Sequence, residues 1–150
     1  MKTSCREVVD FNLVGPLVRD LLDTCNQPGR AGVAANQIGV DLRVFSYSVD
    51  GQLGYIINPQ ITSYSEQTEV LDEGCLSVPG LWKTVERSSS VTITGFQLDG
   101  AEIEMEAEGL LAQVFQHECD HLDGMLYLDR LDREQKKAAM SEIRNSEWFN

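Results

Sequence analysis

The hydrophobic residues near the start of the chain recur at the spacing of a helix. They form two rows, Leu13, Leu17 and Leu21 and, one place later, Val14, Val18 and Leu22. Both rows fall on one face of an α-helix. Pro16 fits such a helix only within its first turn, and the sequence NQPGRAG, residues 26–32, breaks the pattern. The sequence therefore predicts an N-terminal helix over residues 13–25.

The middle of the chain has the composition of β-strands. Four segments are rich in β-branched and aromatic residues: LRVFSY, GYIINP, QTEVL and SVTITGF. Asp99 and Gly100 predict the tight turn of a hairpin. Hydrophobic and polar residues alternate after that turn, through Ile103, Met105 and Ala107, as they do in a half-buried strand.

Two further helical patterns follow the strands. The first runs over residues 110–122 and ends near Gly124. The second, DREQKKAAMSEIRN, is charged and begins with Asp132 as a candidate N-cap. The order helix, strands, helix, helix predicts one α+β domain over residues 1–150. In this fold antiparallel or mixed sheets pack around the helix of residues 110–122, with one further helix near each end of the chain.

Composition changes this picture little but excludes some functions. The chain has 150 residues and a net charge of −12, which disfavours direct binding to nucleic acid because phosphates repel an acidic surface. It has no apolar run long enough to cross a membrane and does not begin like a signal peptide, so we expect a cytoplasmic protein. The four cysteines are widely spaced, which favours free thiols over disulfides.

The candidate chemistry lies in QHECDHLDG, residues 116–124, which contains the chain's only two histidines. His117 and His121 are four residues apart, so on a helix they project within about 40° of each other. Two imidazoles one turn apart can bind a single cation. Glu118, on their flank, could then reach a water at that cation without being a ligand. Cys119 points away from both histidines and is rejected as a ligand.

A surface helix with two solvated histidines is the alternative. Leu110 and Val114 argue against it, because they lie on the same helical face as His117. A solvated face would not normally carry these apolar residues. The floor of a pocket would carry them, and so would ordinary core packing.

A catalytic metal site usually has three protein ligands, and three sources of the third ligand compete. The metzincin pattern HExxHxxGxxH has Tyr127 at its last position, which removes that histidine. A thermolysin-like site would use an acid downstream, where Glu142 is the candidate, although its charged helix suits a solvated face. Cys75, in DEGCLSVPG, is the upstream candidate, although it could equally be a buried structural cysteine.

Three separated segments resemble the signature segments of the peptide deformylases: RAGVAANQIGV (30–40), EGCLS (73–77) and QHECDHLDG (116–124). The resemblance extends over most of the chain between residues 17 and 131. It implies that Cys75, His117 and His121 hold one divalent metal ion. It also implies a substrate, the N-formylmethionine that begins newly made polypeptides, and the release of formate.

The same resemblance implies roles for other residues. Water activated by the metal attacks the formyl carbon, with Glu118 as general base and then general acid. The side chain of Gln37 and the backbone N–H of Leu76 stabilise the oxyanion. Residues expected to bind substrate are Gly32, through close backbone approach, and Leu71, Leu110 and Val114, around the methionine side chain. Glu73 is expected to pair with Arg87 and hold the turn of EGCLS.

The metal expected from the resemblance is Fe(II), although a Cys-His-His set also accepts Zn(II), Ni(II) or Co(II). A transient association with the ribosome suits the substrate, yet the last helix is charge-balanced and shows no basic docking tail. Arg30 departs from the family pattern, which has glycine there. Two alternatives stay open: a zincin-type metallopeptidase with Glu142 as third ligand, and a metal-stabilised binding protein without activity.

Overall fold

The computed structural model describes residues 3–149, and it has the α+β architecture that the sequence predicts. The three helices are α1 (Gly15–Cys25), α2 (Gly109–Leu122) and α3 (Arg133–Arg144). The seven strands are β1 (Gly32–Ala34), β2 (Val44–Val49), β3 (Gln52–Tyr64), β4 (Thr68–Cys75), β5 (Val78–Ser88), β6 (Ser90–Phe96) and β7 (Glu102–Glu108). Among the described residues, no helix is both long and apolar enough to cross a membrane.

Helix α1 begins two residues later than predicted. Pro16 lies in its first turn, where the missing N–H costs no hydrogen bond. Leu13 belongs to a preceding 3-10 turn and is 76% exposed, so its predicted place in the helix is wrong. Leu17 and Leu21 do lie on that face and are buried.

Five strands form an antiparallel sheet in the order β1-β2-β3-β6-β7. Successive side chains of a strand point to opposite faces, so each face has its own core. Val44 and Ile57 pack with α1 on one face, and Phe45 and Ile56 lie in the core that α2 shares on the other. Helix α2 is therefore held against the sheet along most of its length.

Strands β4 and β5 form a separate hairpin, and this is the part of the fold that the sequence patterns predicted least well. Pro79 and Gly80 lie within β5, and both residue types are uncommon in strand interiors. The inner face of β5 nevertheless packs on α3 and on the turn around Tyr127. Strand β3 also runs past Pro59, where a register shift between Ile57 and Gln60 accommodates the proline.

Candidate active site

The two histidines lie on a buried stretch of α2. His117 and His121 are both buried, and their Nε2 atoms are 3.0 Å apart. Burial lowers the pKa of His121 to about 3. The His121 ring is therefore neutral, which is the form that ligates a metal.

Cys75 reaches the same point from the end of β4. The hairpin register shifts there, so that Cys75 pairs with Val78, and the chain turns into β5. Its Sγ atom lies 3.2 Å from His121 Nε2. The potential ligand atoms of Cys75, His117 and His121 all lie within 4.8 Å of one another. The structure thus brings the three predicted ligands together, and one thiolate with two imidazoles fits a divalent transition metal.

The competing third ligands lie elsewhere. Glu142 Oε1 is 2.5 Å from Lys83 Nζ in an exposed salt bridge. The buried hydroxyl of Tyr127 donates a hydrogen bond to the backbone oxygen of Leu81, at 2.9 Å. Cys119 is buried, and its burial raises the pKa of its thiol far above the usual range. None of these three side chains belongs to the cluster of potential ligands that the described residues form.

Glu73 holds the ring of His117 from behind. His117 Nδ1 donates to Glu73 Oε1, which leaves Nε2 free to face Cys75. Arg87 donates to both carboxylate oxygens of Glu73, at 3.0 and 2.5 Å, and so the predicted Glu73–Arg87 pair is confirmed. Burial would raise the pKa of Glu73, but the hydrogen bonds from His117 and Arg87 outweigh it and hold that pKa at about 2.

The same network extends to residues that no sequence pattern indicated. Arg87 Nη1 donates to Asp120 at 2.7 Å. Arg130 also donates to Asp120, at 3.0 and 2.7 Å. Acidic and basic groups therefore alternate from the half-exposed Arg130 to the buried His117. Only the fold brings β4, β5, α2 and the turn after α2 together in this way.

Glu118 lies beside the three ligand atoms without joining them. Its carboxyl group is buried, and its Oε2 atom has no hydrogen-bond partner among the described residues. Burial raises the pKa of Glu118 to about 7, against the opposing pull of His117. A carboxyl group of this pKa suits a proton acceptor that must later donate.

Gly32 of β1 makes room for Glu118. A Cβ atom at position 32 would lie 2.6 Å from Glu118 Oε1 and 2.9 Å from its Cγ and Cδ atoms. These separations are too short for any side chain. The glycine that the sequence marked for substrate approach thus also sets the position of the carboxyl group.

Gln37 faces the site from the turn after β1. Its Oε1 accepts a hydrogen bond from the N–H of Ala34 at 2.9 Å, which directs Nε2 toward Ser77 Oγ at 3.2 Å and Cys75 Sγ at 3.5 Å. Leu76 lies in the adjacent turn and is exposed. A donor at Gln37 is thus close to the ligand cluster, and the roles of Gln37 and Leu76 stay predictions.

A largely apolar pocket of about 150 Å³ opens beside Glu118. Its lining includes the predicted residues Gly32, Leu110 and Val114. Leu71 is not among the lining residues, although Asp72 and Glu73 are. Trp82 also lines the pocket, and the sequence patterns did not indicate it. Asn36 was missed as well, and its side chain donates to the backbone oxygen of His121 at 2.5 Å.

Arg30 does not distort the loop before β1. The positive backbone angle that glycine favours is found at Gly29, whose φ is 80°, whereas Arg30 is not in the left-handed region. The Arg30 guanidinium donates to the backbone oxygen of Thr24 at 2.9 Å, near the end of α1. The departure from glycine at this position is therefore accommodated.

Comparisons with known proteins point to a single family. A family model described as polypeptide deformylase matches residues 1–137. A peptide deformylase of Acidothermus cellulolyticus is 45% identical over 149 residues, covering 99% of this chain and 82% of the relative. Peptide deformylase 1 of Corynebacterium efficiens is 46% identical, covering 96% and 88%. The crystal structure of the Thermus thermophilus peptide deformylase has a TM-score of 0.89 at 35% identity, covering 95% and 86%.

Proposed function

This chain belongs to the polypeptide deformylase family, and we propose that Cys75, His117 and His121 hold its metal ion while Glu118 carries the proton. The protein is a metal-dependent hydrolase that removes the N-formyl group from newly made polypeptides. One observation supports this assignment of residues: the three ligand atoms lie within 4.8 Å of one another. Beside them lies the buried carboxyl group of Glu118, and burial raises the pKa of that group to about 7.

The donor set fits the metal that the family requires. A thiolate and two neutral imidazoles suit borderline divalent ions, and we propose Fe(II) as the native one. When bound, the ion supplies Lewis acidity, which polarises the formyl carbonyl and makes water more acidic. Glu73 fixes the ring of His117 through Nδ1, so that its Nε2 lone pair points toward Cys75.

Glu118 moves one proton twice. Its carboxylate takes a proton from the water whose oxygen attacks the formyl carbon. The carboxylic acid then returns that proton to the amine nitrogen as the carbon–nitrogen bond breaks. The products are formate and a free α-amine. We propose that the amide N–H of Gln37 and the backbone N–H of Leu76 stabilise the oxygen that becomes negative during the attack.

The free edge of β1 gives the peptide a place to bind. Among residues 3–149, strand β1 pairs with β2 alone and its other edge is free. The N–H of Ala34 points away from β2 to Gln37, and alternate residues of a strand direct their N–H and C=O groups to the same edge. The backbone of Gly32 is therefore presented to the cleft, where an extended substrate can add as a strand, with its first side chain in the pocket beside Val114.

We further propose that the protein acts in the cytoplasm, where formylated chains are made, and that any contact with the ribosome is transient. Helix α3 carries both signs of charge, so it offers no uniformly basic surface for ribosomal RNA. Sedimentation of the protein with ribosomes at increasing salt concentration tests this point. Binding that resists salt would contradict it.

The decisive experiment measures formate release from formyl-Met-Ala-Ser under anaerobic conditions, with metal analysis of the same ferrous protein. Glu118→Ala should retain the metal and lose activity at least about a hundredfold. Cys75→Ser should lose most of the metal. Glu142→Ala is the matched control and should keep both. Metal loss in Glu142→Ala with retention in Cys75→Ser would overturn the assignment in favour of a zincin-type site.

A further inference from the structure

Trp82 lies beside the ligand cluster on the hairpin. It is paired with Gly74, the residue immediately before Cys75. A Cβ atom at Gly74 would lie 2.9 Å from two carbon atoms of the indole. The ring therefore lies directly against the backbone of β4, in a position that only glycine at 74 permits.

The indole is also one wall of the apolar pocket. Leu110, Val114 and Glu118 of α2 and Gly32 of β1 belong to the same lining. Trp82 is nevertheless 68% exposed. A large exposed apolar side chain at the rim of a pocket is typical of a ligand contact.

Val70 provides a comparison within the same hairpin. It is 69% exposed and lies on the same face of the hairpin as Trp82, because Val70 and Gly74 are an even number of residues apart. Val70 does not line the pocket. An exposed residue on this face of the hairpin therefore does not necessarily line the pocket, whereas Trp82 does.

We infer that Trp82 is a specificity-determining residue, whose indole contacts the thioether side chain of the formylmethionine in this pocket. This inference rests on the proposed function. An unbranched side chain in this pocket has Trp82, Leu110 and Val114 among its neighbours, and the indole is the only aromatic ring of the lining besides the His117 imidazole. Sulfur makes favourable contacts with aromatic rings, and the ring also removes the methylene groups from water.

Steady-state kinetics test this contact. The substrates are formyl-Met-Ala-Ser, its norleucine analogue, which lacks the sulfur, and formyl-Ala-Ala-Ser, which leaves the pocket unfilled. Trp82→Leu should raise KM for the methionine substrate about five- to tenfold, with kcat within about twofold. It should change KM for the alanine substrate much less. Trp82→Phe should restore most of the preference, and Val70→Ala should leave all values unchanged.

A purely structural role for Trp82 predicts a different result. Trp82→Leu would then lower the melting temperature and change KM equally for all three substrates, which would overturn the inference. Absence of formate release by the unmodified ferrous protein would instead refute the proposed function. The two failures are thus distinguishable.

Fluorescence gives a second measurement that needs no turnover. The chain has two tryptophans, so Trp148→Phe leaves Trp82 as the only one. In the metal-loaded double variant Glu118→Ala, Trp148→Phe, saturating formyl-Met-Ala-Ser should shift or quench the emission. The alanine substrate should do so less. Emission that responds to neither peptide, while both inhibit the unmodified enzyme's turnover of a reporter substrate, would overturn the contact.

Discussion

Replacing Gly32 with alanine should disable the proton carrier without removing the metal. The added Cβ would lie 2.6 Å from Glu118 Oε1, whereas ordinary contact begins at 3.4 Å. The oxygen must therefore move by about 0.8 Å. Because Glu118 is buried and its Cγ atom would also be too close, the whole side chain has to shift rather than its tip alone.

A misplacement of about 1 Å at a reacting group costs about a hundredfold in rate, or about 2.7 kcal/mol of activation free energy. We expect kcat of Gly32→Ala for formyl-Met-Ala-Ser to fall by that order, while the bound metal stays stoichiometric. The backbone itself is not strained, since position 32 is in an ordinary strand conformation.

Gly15→Ala is the matched control. A Cβ atom at Gly15, the first residue of α1, would meet no atom within 4 Å, so kcat and metal content should not change. Measurements of kcat at saturating substrate, metal content and melting temperature on both variants separate the cases. If Gly32→Ala kept kcat within about threefold of the unmodified enzyme, the position of Glu118 would not depend on this glycine and the reasoning would be refuted.

Two further substitutions test the supports of the site. Glu73→Gln should weaken metal binding about ten- to a hundredfold in a chelator competition, because His117 loses its charged acceptor. Glu69→Gln, at an exposed acid of the same strand, should not, and equal affinities of the two variants would contradict the role of Glu73. Tyr127→Phe should lower the free energy of unfolding by about 1–2 kcal/mol in urea, because it leaves the buried oxygen of Leu81 unpaired. The exposed Tyr64→Phe serves as its control, and loss of metal from Tyr127→Phe would contradict a structural role for that hydroxyl.

Local patterns were enough to predict the helices and the histidine pair. The rows of apolar residues around Leu17 and Leu21 lie within one segment, and the four-residue spacing of His117 and His121 lies within another. In a helix, such spacing directly determines which residues share a face. Helix α2 is buried along most of its length, yet the spacing of its two histidines is still recognisable in the sequence. The predicted α+β class is confirmed for the same reason, since it follows from the order of such segments.

The rest depended on contacts between distant segments. The spacing of residues did not by itself choose between Cys75 and Glu142, because their distance from the histidines depends on where β4 and α3 pack. Trp82 and Arg130 carry no local signal, since an exposed tryptophan and a surface arginine are ordinary in isolation. Strand β5 was obscured by Pro79 and Gly80, and its buried residues Val78, Leu81 and Val85 pack in a cluster that α3 shares.

Glu118 and Asp120, the two acids beside the histidines of α2, have opposite surroundings. We propose different roles for them on this basis. Asp120 receives hydrogen bonds from Arg87 and Arg130, so its charge is neutralised and it serves to hold Arg87 against Glu73. Glu118, two residues earlier, is packed against Gly32 and has one oxygen without a partner among the described residues. Burial without a paired cation makes its proton easy to exchange near neutral pH. Helix α2 thus presents a carboxylate bound by two arginines on one flank of the histidines and, on the other, the carboxyl group that we propose carries the proton.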